Sequence, residues 1–221
     1  MKLLLTSAGI VPEIREEFLS LLSKKSSQIK AVLVETAIYG ENLAPEKLKE
    51  YSKQTIEQLK GCGVVNITNV DIREQSSQSL SVILDNVDIL IIDGGNTFYL
   101  LDWIKKNQLD KVIVDHVKKG LIYVGISAGS YIACPTIEMA AWGYQDRNRC
   151  GLKDLTSLNL VPFLITAHYA GEYKKIIETS AKNTTYPVVA ITDSQALLIV
   201  DGKVKLIGKG QPNFFNGFKE S

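Results

Sequence analysis

Short apolar runs recur along this chain, each followed by a longer segment with helical patterning, and that alternation constrains its fold more than any other feature. The runs are Leu3 to Thr6, Ala31-Val32-Leu33-Val34, Val64-Val65-Asn66-Ile67, Val87-Asp88-Ile89-Leu90-Ile91-Ile92 and Leu121-Ile122-Tyr123-Val124. The run ending at Ile92 is nearly continuous, as in a strand buried on both faces. Between the runs, Pro12 to Lys24, Pro45 to Lys60, Ser79 to Leu84, Thr97 to Lys105 and Leu109 to Lys119 read as helices, with Gly61 and Gly120 as stops. Alternation of this kind predicts a three-layer α/β/α sandwich with a mostly parallel central sheet.

Further strands are expected at Pro187 to Ile191, Ala196 to Val200 and Val204 to Ile207, the last two joined by an Asp201-Gly202 hairpin turn. Only the tail after Gly208 reads as irregular, placed to dock on the body or on a partner. With no repeat, low-complexity tract or linker, residues 1–221 read as a single domain, and a hydrophobic fraction of 45% supplies its core.

Composition excludes several classes. A net charge of +1 gives no global attraction to nucleic acid or acidic membranes. The three cysteines, Cys62, Cys134 and Cys150, show no paired spacing, which suggests a reducing compartment without disulfides. The two histidines, His116 and His168, sit near no cysteine pair, so neither metal nor other cofactor is expected. The apolar N-terminus is too short for a signal peptide and meets Glu13-Ile14-Arg15-Glu16-Glu17 almost at once. No run approaches the roughly 18 apolar residues of a membrane span. A cytoplasmic protein is expected, with neither nucleic acid nor membrane as partner and a homodimer left open.

Chemistry concentrates after the run Leu121 to Val124. Gly125-Ile126-Ser127-Ala128-Gly129 fits the G-x-S-x-G nucleophile elbow, a strand-to-helix turn that needs small residues around its serine. A hydrolase is therefore the leading expectation, with Ser127 as nucleophile. A serine hydroxyl needs a base. His116 falls among polar positions of a helical pattern, whereas His168 lies just past Leu164-Ile165-Thr166-Ala167, in a loop at a strand end where such folds form their ligand crevice. His168 is the expected base.

The carboxylate that orients the imidazole stays open on pattern alone. Glu138, Asp146 and Asp154 precede His168; Asp146 stands beside Arg147 and near Arg149, and Asp154 reads as a cap or surface acid. Asp193 follows a strand, in the turn Thr192-Asp193-Ser194. A second glycine turn, Asp93-Gly94-Gly95-Asn96-Thr97, opens a helix after Ile92. Gly95 and Ala128 N–H groups there would form a two-donor oxyanion hole. Thr6-Ser7-Ala8-Gly9 is a third small-residue turn that would line the same crevice, and Trp142 and Tyr144 are candidates for a pocket wall.

Gly94-Gly95-Asn96-Thr97-Phe98, Gly125 to Ser130, Pro135-Thr136-Ile137, and Leu160-Val161-Pro162-Phe163 leading to His168-Tyr169 occur in that order. The series resembles the peptidase E family, serine dipeptidases that remove amino-terminal aspartate from Asp-X dipeptides. The resemblance implies a class I glutamine amidotransferase-like fold with serine at the elbow and a small peptide as partner. It implies Ser127 as nucleophile, His168 as base, Gly95 and Ala128 as oxyanion donors, and Asn96 as a substrate contact. The family's acid is a glutamate just before the final hairpin, a position that Asp193 matches with a side chain one methylene shorter. Two departures stand out. Thr136 to Trp142 lacks the family's aspartate after Pro-Thr-Ile, and the family's Gly-Glu-Thr-Arg becomes Gly171-Glu172-Tyr173-Lys174, which puts Lys174 at a substrate-binding position. A cyanophycinase-like or β-aspartyl peptide hydrolase, or a non-catalytic binding protein on this frame, are the alternatives.

Overall fold

A computed structural model describes residues 1–41, 43–143 and 146–220. Among these residues ten strands run in chain order: β1 (Lys2–Thr6), β2 (Lys30–Val34), β3 (Asn66–Val70), β4 (Ile89–Ile92), β5 (Ile122–Ile126), β6 (Leu164–Thr166), β7 (Val188–Ala190), β8 (Gln195–Val200), β9 (Lys203–Gly208) and β10 (Asn213–Phe215). Among the same described residues seven α-helices intervene: α1 (Arg15–Leu21), α2 (Pro45–Gly61), α3 (Ser77–Leu84), α4 (Thr97–Lys106), α5 (Asp110–Lys118), α6 (Ala128–Ile132) and α7 (Lys174–Ala181).

The main sheet has the order β3-β2-β4-β5-β1-β8-β9. Strands β3, β2, β4, β5 and β1 are mutually parallel, and β8 and β9 close the sheet antiparallel. Side chains alternate between its faces, as strand geometry requires. Leu4, Leu33, Ile91 and Val124 pack with Phe18 and Leu21 of α1 and Leu59 of α2. Their neighbours Leu3, Leu5, Val34, Ile92 and Tyr123 pack on the other face, with Leu84 of α3, Phe98 of α4, Ile113 of α5 and Tyr131 of α6. The result is the mostly parallel, helix-covered sandwich that the alternating runs predict.

Three details differ from the sequence reading. The third strand starts at Asn66, because the end of α2 takes Val64 for itself. Gly63 (φ 83°) donates to the Lys60 carbonyl and Val64 to that of Leu59, the paired bonds of a Schellman cap with its apolar residue tucked under the helix. The helix after the elbow begins at Ala128, with Ser127 itself outside it. The tail is ordered on the body: β10 pairs antiparallel with β7, which lies parallel to β6, making a separate three-stranded sheet. Phe218 then stacks edge-on against Phe163 at 4.9 Å between centroids.

Parallel strands end together, so β1, β4 and β5 deliver Ser7, Asp93 and Ser127 to one edge of the main sheet. Antiparallel β8 starts at that edge and brings Asp193 with it, since Ala196 pairs with Thr6. Among the described residues no helix is long and apolar enough to cross a membrane.

Candidate active site

The elbow is built by close contacts that only glycine permits. A Cβ on Gly125 would meet the Gly129 backbone at 2.6 Å, and one on Gly129 would stand 2.0 Å from the Ile92 carbonyl oxygen. Between them Ser127 adopts φ 48° and ψ −105°, a strained conformation of the kind that clusters at functional sites. Its N–H donates to the Thr6 carbonyl at 2.9 Å, and Ser130 Oγ donates to the same oxygen at 2.8 Å. The turn is thus tied to the end of β1.

The structure brings Ser127, His168 and Asp193 together. His168 Nε2 lies 3.0 Å from Ser127 Oγ, and Nδ1 lies 2.7 Å from Asp193 Oδ1. With Nδ1 protonated and donating to the carboxylate, Nε2 presents its lone pair to the serine hydroxyl, the tautomer a general base requires. The shorter aspartate spans the gap. Other acids stand elsewhere: Glu138 opens a single helical turn after Ile137, and Asp154 pairs on the surface with Lys105 at 2.7 Å. His116 is buried rather than on a polar face. Its ring joins α5 to the end of α3 through the Val112 carbonyl (2.7 Å) and Asp85 Oδ1 (3.1 Å).

Gly95 has φ 125°, and a Cβ there would overlap the backbone of Ala37 at 2.4 Å. Its N–H, like that of Ala128 at the start of α6, meets no acceptor among the described residues. Gly95 and Ser127 line one cleft of about 530 Å³. Two unpaired backbone donors beside a serine hydroxyl are groups that can receive a developing oxyanion. Asn96 caps α4, accepting from Tyr99 N–H at 3.0 Å and donating to the Arg147 carbonyl at 3.0 Å. Lys174, 3.8 Å from Glu178 on α7, is not among the cleft-lining residues, although the adjacent Tyr173 is. Trp142 packs partly buried against the core, and Tyr144 lies outside the described residues.

The cleft wall adds two groups that motif reading missed, Glu41 and Tyr51, and one that it offered only as a candidate triad acid, Asp146. Glu41, Tyr51 and Asp146 line it together with Ser127 and His168. Asp146 Oδ2 accepts from Thr97 N–H at 2.6 Å, so a side-chain carboxylate occupies the helix terminus that favours anions. Burial raises the Asp146 carboxyl above its ordinary value against the opposing pull of Thr97, His168 and Arg149. Burial, reinforced by Asp146, raises Glu41 as well. Arg149 donates to the Gly40 carbonyl at 2.9 Å. Deeper in, buried Asp93 is pushed up to about 6 by desolvation, despite its bond from Gly94 N–H. No sequence pattern marks Glu41 or Tyr51, which come from the segment before α2 and from α2 itself. Among the described residues, no group of three or more His, Cys, Asp and Glu side chains is placed to hold a metal ion.

The family model described as peptidase family S51 matches residues 3–207. An uncharacterized peptidase of Pasteurella multocida is 33% identical over 146 residues, covering 62% of this chain and 69% of that protein. Peptidase E of a Nostoc species is 31% identical over 141 residues, covering 59% of this chain and 57% of its own length. In fold, the chain is similar to a peptidase E-like protein of Listeria monocytogenes, with a TM-score of 0.79, 24% identity and coverage of 95% and 98%. It is also similar to a peptidase from an acI-B1 actinobacterium, with a TM-score of 0.74, 16% identity and coverage of 100% and 92%.

Proposed function

Since this chain belongs to peptidase family S51, and is by that membership a peptidase of the serine type, we propose that it cleaves short peptides through an acyl-enzyme on Ser127. His168 Nε2 takes the Ser127 proton as Oγ attacks the scissile carbonyl carbon. The negative charge that develops on the carbonyl oxygen is received by the N–H groups of Gly95 and Ala128. Collapse of the tetrahedral intermediate breaks the C–N bond, and His168 returns the proton to the leaving amine. Water, activated by the same imidazole, then frees the acyl group. Throughout, Asp193 holds Nδ1–H and stabilises the imidazolium.

The observation that carries this reading is the unbroken hydrogen-bonded line from Ser127 Oγ through His168 to Asp193, at 3.0 and 2.7 Å, beside a cleft. Its test is labelling by a fluorophosphonate together with hydrolysis of a dipeptide panel. Wild type is expected to be labelled at Ser127 and to hydrolyse at least one panel member. Ser127→Ala is expected to do neither while unfolding at the wild-type temperature. Hydrolysis by Ser127→Ala at the wild-type rate would end the proposal.

Asp-X dipeptides are the substrates that the peptidase E resemblance suggests. The cleft wall favours a second reading of specificity. Glu41 and Asp146 line it, and among the described residues no lysine or arginine does so. A substrate carboxylate there meets like charge, whereas an ammonium or guanidinium on the acyl side meets two acceptors. A panel of Asp-X, Lys-X, Arg-X and β-aspartyl peptides, each with a free or acetylated amine, separates these readings.

A further inference from the structure

Ser7 is completely buried and stands one residue past β1, between the two strands that carry Ser127 and Asp193. Its hydroxyl makes three approaches within the triad. It donates to Asp193 Oδ1 at 2.5 Å, accepts the backbone N–H of His168 at 2.8 Å, and lies 3.3 Å from His168 Nδ1. We propose that Ser7 is a fourth, positioning member of the catalytic array, fixing Asp193 and the His168 backbone so that the imidazole faces Ser127; this rests on the reading of Ser127 as nucleophile.

Proton accounting supports the assignment. A hydroxyl has one proton to give, and the short contact to Asp193 takes it. Its lone pairs then face the two N–H groups of His168. Such a network is consistent only if Nδ1 carries its proton, which leaves Nε2 free to accept from Ser127. Ser7 therefore favours, for the neutral imidazole, the tautomer with its proton on Nδ1, as well as fixing the place of the ring.

Both partners need holding. Among the described residues, Ser7 and His168 are the only hydrogen-bond donors to Asp193, whose side chain is otherwise exposed. His168 has φ 55°, a left-handed conformation uncommon outside glycine, and the Ser7 oxygen bonds its N–H there. The anchor is itself fixed. Thr6 accepts from Ser127 N–H and Ser130 Oγ through its carbonyl, and from Gly9 N–H through Oγ1.

The test is a double-mutant cycle on the full chain, read as the rate of Ser127 labelling by a fluorophosphonate, with thermal unfolding alongside. Ser7→Ala is expected to slow labelling about tenfold to a hundredfold, the size of one charge-assisted hydrogen bond. Ser7→Ala combined with Asp193→Ala, which removes the acceptor altogether, is expected to lose less than the product of the two single losses, because without the carboxylate the Ser7 hydroxyl has no third member to hold. A merely structural role predicts multiplied losses instead, and that result overturns the proposal. So does a Ser7→Ala rate within about twofold of wild type. If Ser7→Ala does not fold, Ser7→Cys enters the same cycle, since it keeps the shape and gives up the strong donor. Failure of the underlying function is distinguishable: there the wild type itself goes unlabelled at Ser127, whereas a labelled Ser127 with an indifferent Ser7 overturns only the role of Ser7.

Discussion

Replacing Asp193 by asparagine tests the third position of the array with little change of shape. The carboxylate oxygen lies 2.7 Å from His168 Nδ1, and the two side chains are 62% and 43% exposed. At that separation two unit charges attract by about 6 kcal/mol at an effective dielectric of 20, and by about 1.5 kcal/mol in water. The exposure of both groups puts the interaction toward the aqueous end, so about 2 to 3 kcal/mol of imidazolium stabilisation is at stake. The substituted side chain can still accept from Ser7 and from Nδ1–H through its amide oxygen. The geometry survives in that orientation and the charge is lost, which corresponds to a rate loss of about thirtyfold to 150-fold. If the amide turns its NH2 toward the ring, Nδ1 must accept and Nε2 carries the proton, and the loss grows further. Fluorophosphonate labelling of Ser127 at neutral pH measures the effect without reference to the natural substrate. Glu138→Gln serves as the control, because Glu138 lies outside the array and its rate is expected to match wild type. Asp146→Asn is expected to change labelling less than Asp193→Asn does. An Asp193→Asn rate within about threefold of wild type, or a larger loss from either of the other two, would refute the assignment.

Three further outcomes follow from the geometry. Gly129→Ala places a Cβ 2.0 Å from the Ile92 carbonyl oxygen, an overlap with backbone that cannot rotate away; a loss of about 3 kcal/mol or more in denaturant unfolding is expected, and unchanged stability would contradict the elbow packing. Asp93 is held at about 6 against an ordinary 3.8, so the folded chain binds more protons than the unfolded one between those values, and stability falls as pH rises through that window. Asp93→Asn should therefore be more stable than wild type above about pH 6, by at most about 3 kcal/mol, and gain nothing below about pH 4, as read from unfolding curves across pH. Glu41→Gln should raise KM about threefold to tenfold for peptides with a cationic acyl side and leave fluorophosphonate labelling unchanged, since it removes one partly exposed charge from the cleft wall; equal KM values for cationic and acidic peptides in wild type would remove the case for an acidic wall.

Much of the sandwich was legible because parallel strands buried on both faces are short, apolar and uninterrupted, and Ile89 to Ile92 has no other way to be satisfied. The small sheet was less so. Its strands β6, β7 and β10 have three residues each, too few for period-two patterning to stand out. The hydrophobic signal of β10 is a pair of phenylalanines between Asn213 and Asn216, which reads as tail until β7 is placed beside it.

In the candidate site, legibility tracked how local the cause was. The elbow and the Gly94-Gly95 turn each fit a motif within five residues, so Ser127, Gly95 and Ala128 stand out on sequence, although the contacts that require glycine at 95 and 129 reach across the fold to Ala37 and Ile92. His168 was narrowed down by scarcity, the chain having one other histidine. Pattern alone could not choose the acid, because what separates Asp193 from Asp146 is register. Thr6 pairs with Ile126 on one side and Ala196 on the other, and this cross-sheet match sets Ser7, Ser127 and Asp193 side by side although 186 residues separate the first from the last. The same register brings the carboxylate proposed for the position where the resemblance implies a glutamate within reach of His168: Asp193 sits in the turn entering β8, beside Ser7 at the end of β1. A one-residue slip of β8 would carry that turn about 3.3 Å along β1 and take the carboxylate out of reach of His168. The reach of the carboxylate is therefore a property of the strand pairing, and Ser7, fixed by β1, locks that pairing to the chemistry.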